Sequence, residues 1–431
     1  MVEPKPSKGL KHPEWAKNTN IYELNVRQYS PEGTFKAVEG DLDRLKELGV
    51  GIIWFMPIHP IGEKNRKGPL GSYYAVKDYK GINPEFGNEE DFRSLVDKAH
   101  EMGMHVIIDW VANHTAWDHR WATEHPEYYT KNEDGEFIPP MDTDWTDVID
   151  LNYDSQEMRM EMRDALKYWV SEFNIDGYRC DVAMEVPTDF WNNVREDLDA
   201  IKPVFMLAEA ELPEHHHQAF DMSYGWDFHH IMNDIAQGES NASAIDEYIK
   251  GEEGMQRFGR NDYRMIFTSN HDENSWNGTV FERMGDAAEA FAVLSGTFSG
   301  MPLIYNGQEA GMDERLEFFK KDTIKWQDHR FFDIYQALNQ LKKDNPALWN
   351  GKDGGNMRRL FTGKDEQVFA YSRTKGDHSV VSVFNLSDQP QSIKLEGGEG
   401  EYKDVFTGEA QALSNQEALE LPAWGYRVWS N

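Results

Sequence analysis

One cysteine, Cys180, occurs in 431 residues, which excludes an intrachain disulfide and a cysteine-based zinc cluster. No apolar run approaches the ~18 residues of a membrane span. The stretch from Met1 to Lys17 contains Pro4, Pro6 and Pro13 and lacks an apolar signal core. The expectation is therefore a cytoplasmic protein, or a periplasmic or extracellular one whose export signal has been removed. Positive charge is scarce, with 44 Lys and Arg against 76 Asp and Glu, a net charge of −32. Such an excess argues against nucleic acid and anionic lipid as partners, because both need basic patches. It fits a soluble chain whose ligand is neutral or cationic. No fixed-period repeat is visible, and oligomeric state cannot be read from the sequence.

Aromatic residues are plentiful: 14 Trp, 18 Tyr and 23 Phe, within a 39% hydrophobic composition. A chain so composed buries a large core, which excludes global disorder. Its length gives a soft prior of about three domains, although one α/β barrel can occupy over about 250 residues alone.

The recurring pattern is a short apolar run followed by a helical stripe, the mark of βα units on a parallel sheet. Strands are expected at Ile21 to Arg27, Gly51 to Ile58, His105 to Val111, Gly177 to Asp181, Val204 to Glu209, Met222 to Phe228, Tyr263 to Ser269 and Met301 to Asn306. Intervening helices show apolar stripes such as Phe92, Leu95, Val96, Ala99 and Met102. Eight such units predict a closed (β/α)8 TIM barrel over residues 1–113 and 151–351. The rhythm lapses between 114 and 150, rich in Trp, His, Pro and Asp, with a hairpin expected at Asn132 to Gly135. This reads as a short domain inserted after strand three. Beyond residue 352, alternating runs at Gln367 to Arg373, Ser379 to Asn385 and Tyr426 to Trp429 predict a C-terminal antiparallel β-sandwich.

In a parallel barrel the site lies at the carboxyl ends of the strands. The polar residues there are Asp109, with Asn113 and His114 beyond it, Arg179 and Asp181, Glu209, and His271 and Asp272. Barrel closure would bring four carboxylates, an arginine and two histidines to one mouth. That set suits glycoside hydrolysis, which needs a carboxylate at the anomeric carbon and a protonated acid at the leaving oxygen. Arg179 and Asp181, two apart on a strand, share a face; the guanidinium is expected to hold Asp181 ionised as nucleophile. Nearby like charges are expected to raise Glu209 so that it keeps a proton. His114 and His271 would donate to sugar hydroxyls, and Tyr74 would offer an apolar face to a pyranose. Glu211 is a rival acid, ranked lower because it lies outside the apolar run. His215, His216 and His217 read as a tract too tightly spaced to converge on one ion. His229 and His230 read as packing or hydrogen-bonded residues.

These residues occur in ordered motifs: DWVANH at Asp109 to His114, GYRCD at Gly177 to Asp181, MLAEA around Glu209 and SNHD at Ser269 to Asp272. GIIWFMPI, DVIDLN (Asp147 to Asn152), YAVKDY (Tyr74 to Tyr79) and NPEFG (Asn83 to Gly87) accompany them. The sequence thereby resembles glycoside hydrolase family 13, the α-amylase family, over roughly residues 20 to 430. The resemblance implies a retaining double displacement on α-1,4-glucosidic bonds, with a starch-like α-glucan or maltooligosaccharide as substrate and no cofactor for the chemistry. It implies Asp181 as nucleophile, Glu209 as general acid/base and Asp272 as the third carboxylate. Arg179, His114, His271, Asp109 and Tyr74 match the residues that shape the sugar subsite.

DVAMEV, Asp181 to Val186, is similar to the cyclomaltodextrinase and neopullulanase branch, whose members usually carry an extra N-terminal domain; with about twenty residues before strand one, that domain is not expected in this sequence. Met184 and Glu185 replace a Lys-His pair that helps many relatives hold a structural calcium, whereas Asn113, another calcium position, is retained. The expectation leans against an essential calcium, with Asp142, Asp144 and Asp147 as the other donors on offer. Alternative functions are a cyclomaltodextrinase, an α-glucosidase or a transglycosylase of the same family, a catalytically silent binding subunit, and a histidine-based metallohydrolase. The silent subunit conflicts with the presence of all three carboxylates, and the metallohydrolase with the absence of an HExxH pattern.

Overall fold

The computed structural model describes residues 10–431; of the N-terminal stretch read for an export signal, residues 1–9 lie outside it. Eight parallel strands close into a barrel. They are β1 (Ile21–Leu24), β2 (Ile52–Phe55), β3 (His105–Trp110), β4 (Gly177–Cys180), β5 (Phe205–Ala208), β6 (Met222–Tyr224), β7 (Tyr263–Ile266) and β8 (Met301–Tyr305). Closure is made by β1 pairing with both β2 and β8, Ile21 lying opposite Ile52 and Leu303.

Alternation along the strands divides the core. Ile21, Ile52, Trp54, Ile107, Leu207, Met265 and Leu303 fill the barrel interior. Their neighbours, such as Tyr22, Ile53, Val106 and Ile108, pack outward with the surrounding helices. Strands covered on both faces read as continuous apolar runs for this reason. Helix Glu89–Glu101 starts from a capping box between Asn88 and Asp91 and buries Phe92, Leu95, Val96 and Ala99.

All eight strands are shorter than the sequence pattern predicts, and β1 and β6 show why. β1 stops at Leu24, because Asn25 turns the chain into the helical turn Val26–Tyr29. β6 stops at Tyr224 rather than running on to Phe228. Gly225 lies against the Met265 carbonyl, where a Cβ would approach to 2.7 Å, and helix Trp226–Gln237 begins at once. The apolar residues Trp226 and Phe228 belong to that helix, a local ambiguity that a short apolar run cannot resolve.

After β3 the chain pairs His114–Ala116 with Val148–Asp150 in a small antiparallel ladder. The intervening segment contains a hairpin in which Gly135 N–H donates to the Asn132 carbonyl and Lys131 bridges Phe137. Beyond the barrel an antiparallel six-stranded sheet opens at Asn356–Leu360, and a two-stranded sheet pairs Gln391–Ile393 with Leu419–Leu421. Leu360, Val381, Val383 and Trp429 of the larger sheet share a core with Ile393 and Leu421 of the smaller. No described helix is long and apolar enough to cross a membrane.

Candidate active site

At the carboxyl ends of the barrel strands lies a cleft of about 480 Å³. Tyr74, His114, Asp181, Glu209, His271 and Asp272 all line it. Asp109 and Arg179 sit directly beneath, both fully buried. The whole sequence-derived set therefore converges, six members on the wall and two under the floor.

Arg179 organises the floor. Its Nη1 donates to Asp109 Oδ1 at 3.0 Å and to Asp181 Oδ1 at 2.9 Å. Its Nη2 lies 2.8 Å from Glu209 Oε2, and its Nε donates to the Tyr224 hydroxyl at 3.1 Å. Register explains the convergence: Asp109 of β3 lies opposite Arg179 of β4, and Arg179 opposite Leu207 of β5, two residues before Glu209. Val182, immediately after Asp181, has φ of 36°, a conformation costly for a β-branched residue. That turn aims its N–H at Glu209 Oε2, 2.8 Å away.

The electrostatics differ from the expectation in two respects. Burial pushes Asp181 up to about 6, although the Arg179 guanidinium opposes the shift. The arginine thus limits the rise rather than holding the carboxylate fully ionised, because a site closed from water penalises charge. Glu209 goes higher, to about 7, through burial first and then through Asp181 and Asp272, against Arg179. Desolvation, more than like charge, keeps a proton there. Burial also pushes Asp109 up to about 6.

The two histidines part ways. His114 is lowered to about 3 by burial, against a hydrogen bond to the Tyr74 backbone, and its Nδ1 accepts from Asn113 Nδ2 at 3.3 Å. Burial also disfavours charge on His271, but Asp272 and Glu23 outweigh it and hold His271 at about 9. His271 Nδ1 donates to Glu23 Oε1 at 2.5 Å, and Nε2 lies 2.9 Å from the Tyr74 hydroxyl, which donates in turn to Asp109 at 3.0 Å.

Sequence reasoning missed several participants. Glu23 on β1 braces His271, Trp54 on β2 donates to Asp109 Oδ2 at 3.1 Å, and Tyr224 on β6 supports Arg179. Trp276, 52% exposed, joins Phe318 and Phe319 as an aromatic wall of the cleft, with ring separations of 5.3 and 5.8 Å. Inward alternation could have found Glu23 and Trp54; the loop aromatics had no periodic signal. The rival acid Glu211 is instead paired with Arg264 and Arg257 away from the cleft. Among the described residues His215, His216 and His217 form no converging ligand set. His229 stacks on Phe267 and donates to its carbonyl.

The region between the barrel and the inserted segment is already served by a cation. Lys67 Nζ donates to the Asp144 carbonyl at 3.1 Å and lies 3.6 Å from Asp147 Oδ1. Among the described residues, Asp142, Asp144, Asp147 and Glu185 form no converging carboxylate group. Lys67 thus supplies positive charge to Asp144 and Asp147 at this place.

Comparison with known proteins agrees with this geometry. The model described as "Alpha amylase, catalytic domain" matches residues 12–145 and 141–355, and "Maltogenic Amylase, C-terminal domain" matches 358–428. The crystal structure of a noncanonic maltogenic alpha-amylase, AmyB from Thermotoga neapolitana, superposes with a TM-score of 0.87 at 30% identity, covering 96% of this chain and 99% of that one. An alpha-amylase from Lactobacillus plantarum gives 0.87 at 33%, covering 97% and 99%. Alpha-amylase MalA of Haloarcula japonica is 29% identical over 416 residues, 92% of this chain but only 59% of that longer protein. A closed barrel with these strand-end motifs, followed by this C-terminal sheet domain, makes the chain a member of the α-amylase family of glycoside hydrolases.

Proposed function

We propose that the protein is a retaining α-glucan hydrolase that cleaves α-1,4-glucosidic bonds of starch or maltodextrins. The observation that carries this reading is one guanidinium, Arg179, reaching Asp181 through Nη1 and Glu209 through Nη2 at the floor of an aromatic-walled cleft. Two carboxyls on neighbouring nitrogens of one planar fork leave little room for an intervening water. That supports the about 5–5.5 Å spacing of retaining enzymes over the wider gap of inverting ones.

In the first step Asp181 attacks the anomeric carbon while Glu209 protonates the glycosidic oxygen, so the C–O bond breaks and a glucosyl ester forms. In the second, Glu209 takes a proton from water, whose oxygen attacks the same carbon and releases Asp181. Two inversions return the α-configuration. Asp272 and the positively charged His271 hold sugar hydroxyls, neutral His114 donates from the opposite side, and Tyr74 with the Trp276 wall presents apolar faces to pyranose rings. No cofactor enters either step.

The test is direct. Asp181→Asn, folded by circular dichroism, should lose about three or more orders of magnitude in kcat, and wild-type product should first appear as the α-anomer by NMR. Retention of more than about a tenth of the activity would remove Asp181 from the nucleophile role, and a β-anomer would exclude retention. Product profiles on starch, pullulan, cyclodextrin and maltotriose separate this reading from a cyclomaltodextrinase, an α-glucosidase or a transglycosylase, since loops rather than fold set that choice.

A further inference from the structure

At the end of the barrel opposite the cleft, three ligating side chains meet. His100 lies in the last turn of helix Glu89–Glu101, His105 opens β3, and Asp176 immediately precedes β4. The two strand positions are amino-terminal, so the group is remote from the catalytic mouth. Asp176 is buried, and its Oδ2 accepts from Val106 N–H at 2.8 Å and from His100 Nε2 at 2.6 Å. Its other oxygen accepts from Lys202 Nζ at 2.9 Å. His105 Nδ1 points at the same Oδ2 but stands 3.6 Å away, beyond hydrogen-bond reach. That nitrogen is buried and has no hydrogen-bond partner. Trp15 stacks on the ring at 3.8 Å and holds its plane.

A hydrogen-bonded network accounts for His100 and leaves His105 unexplained. An unpaired buried imidazole nitrogen is costly unless something else completes it. The three ligand atoms lie within 4.8 Å of one another, and no other group among the described residues meets that condition. A cavity of about 190 Å³ opens beside them.

We propose that His100 Nε2, His105 Nδ1 and Asp176 Oδ2 form a binding site for one zinc-class divalent ion, with water in the fourth position. Zinc bonds of about 2.0–2.2 Å in tetrahedral geometry put neighbouring ligand atoms about 3.3 Å apart. The 2.6 Å His100–Asp176 edge must open slightly, the 3.6 Å His105–Asp176 edge barely moves, and the histidines must close from within 4.8 Å. Side-chain rotations at half-buried histidines supply such shifts without backbone movement. Two imidazoles and one carboxylate select zinc-like ions over calcium or magnesium, which prefer all-oxygen sets. Lys202 stays on Oδ1, leaving Oδ2 for the ion while weakening the site through repulsion. Because the ion would tie a helix end to the starts of β3 and β4, its effect belongs to stability and not to turnover.

The experiment is zinc chloride titrated by calorimetry into the chelator-stripped full chain, alongside His105→Ala, His100→Gln and, as a control, His217→Ala. One equivalent should bind to wild type and to His217→Ala, with affinity at least tenfold weaker in each of the other two variants. Cobalt(II) should give the visible absorption of a tetrahedral site in wild type only. At about a hundredfold excess over Kd, zinc should raise Tm by roughly 2–4 °C, and calcium chloride should not. Activity on starch should stay at the wild-type level in His105→Ala, which verifies its fold. Equal zinc affinity in His105→Ala, His100→Gln and wild type would overturn the site. So would absence of uptake by wild type, which would leave His100 and Asp176 as a hydrogen-bonded staple only.

Discussion

Arg179 hydrogen-bonds Asp109 and Asp181 and stands in ion-pair contact with Glu209, and all three are pushed up by burial despite it: Asp109 and Asp181 to about 6, Glu209 to about 7. Glu209 above Asp181 is the order that the roles proposed for them require. Asp181 must be ionised to attack, so activity falls as pH drops through about 6. Glu209 must be protonated to donate, so activity falls as pH rises through about 7. The pH profile of kcat/KM should therefore be a narrow bell with its maximum between those limbs. A plateau extending well into the alkaline range would show that Glu209 is not the acid. His271, held at about 9 by Asp272 and Glu23 against its own burial, keeps its charge across this window.

Among the elements, β4 tolerates little change at its first residue. Gly177 has φ of 143°, and a Cβ there would stand 1.9 Å from the Phe205 carbonyl of β5. Gly177 pairs with Phe205, and the same register sets Arg179 against Leu207. Gly177→Ala must spread the two strands that carry Arg179, Asp181 and Glu209. We expect a loss of about 3 kcal/mol or more in urea unfolding, with activity lost in step; a cost under about 1 kcal/mol would show that the strands relax freely. The inserted segment is held differently, by its ladder to His114–Ala116 and by Lys67 on Asp144 and Asp147. With a lysine ammonium already in that position, a calcium-selective chelator should leave activity and Tm unchanged. Reversible loss of both on chelation and readdition would show that calcium displaces Lys67.

For the whole molecule, a net charge of −32 on one folded chain means self-repulsion that salt screens. Many lysines and arginines are already in surface pairs such as Arg315–Glu282 and Lys320–Glu317, and exposed pairs contribute little. Screening of repulsion should therefore dominate, and Tm should rise, or at least hold, between low salt and about 1 M sodium chloride. A steady fall in Tm across that series would mean that favourable ion pairs govern the surface.

The barrel and most of its candidate site were legible in the residues alone. Parallel strands buried on both faces leave apolar runs, and Asp109, Asp181, Glu209 and Asp272 stand out as carboxylates at or just beyond their carboxyl ends. Spacing within a strand also put Arg179 and Asp181 on one face. Tertiary structure decided what local pattern cannot encode. Glu23 has a role only through His271, 248 positions away, and Tyr224 only through Arg179. Trp276 becomes a wall only where Phe318 and Phe319 meet it. Trp226 and Phe228 read as strand until Gly225, pressed on a neighbouring carbonyl, turns them into helix. Desolvation belongs in the same class: Asp181 beside an arginine predicts a depressed pKa, and only closure of the barrel over both residues reverses the sign. Sequence specifies which groups are present and which face they take; burial and long-range contact, created when the barrel closes, set their charge states and their partners.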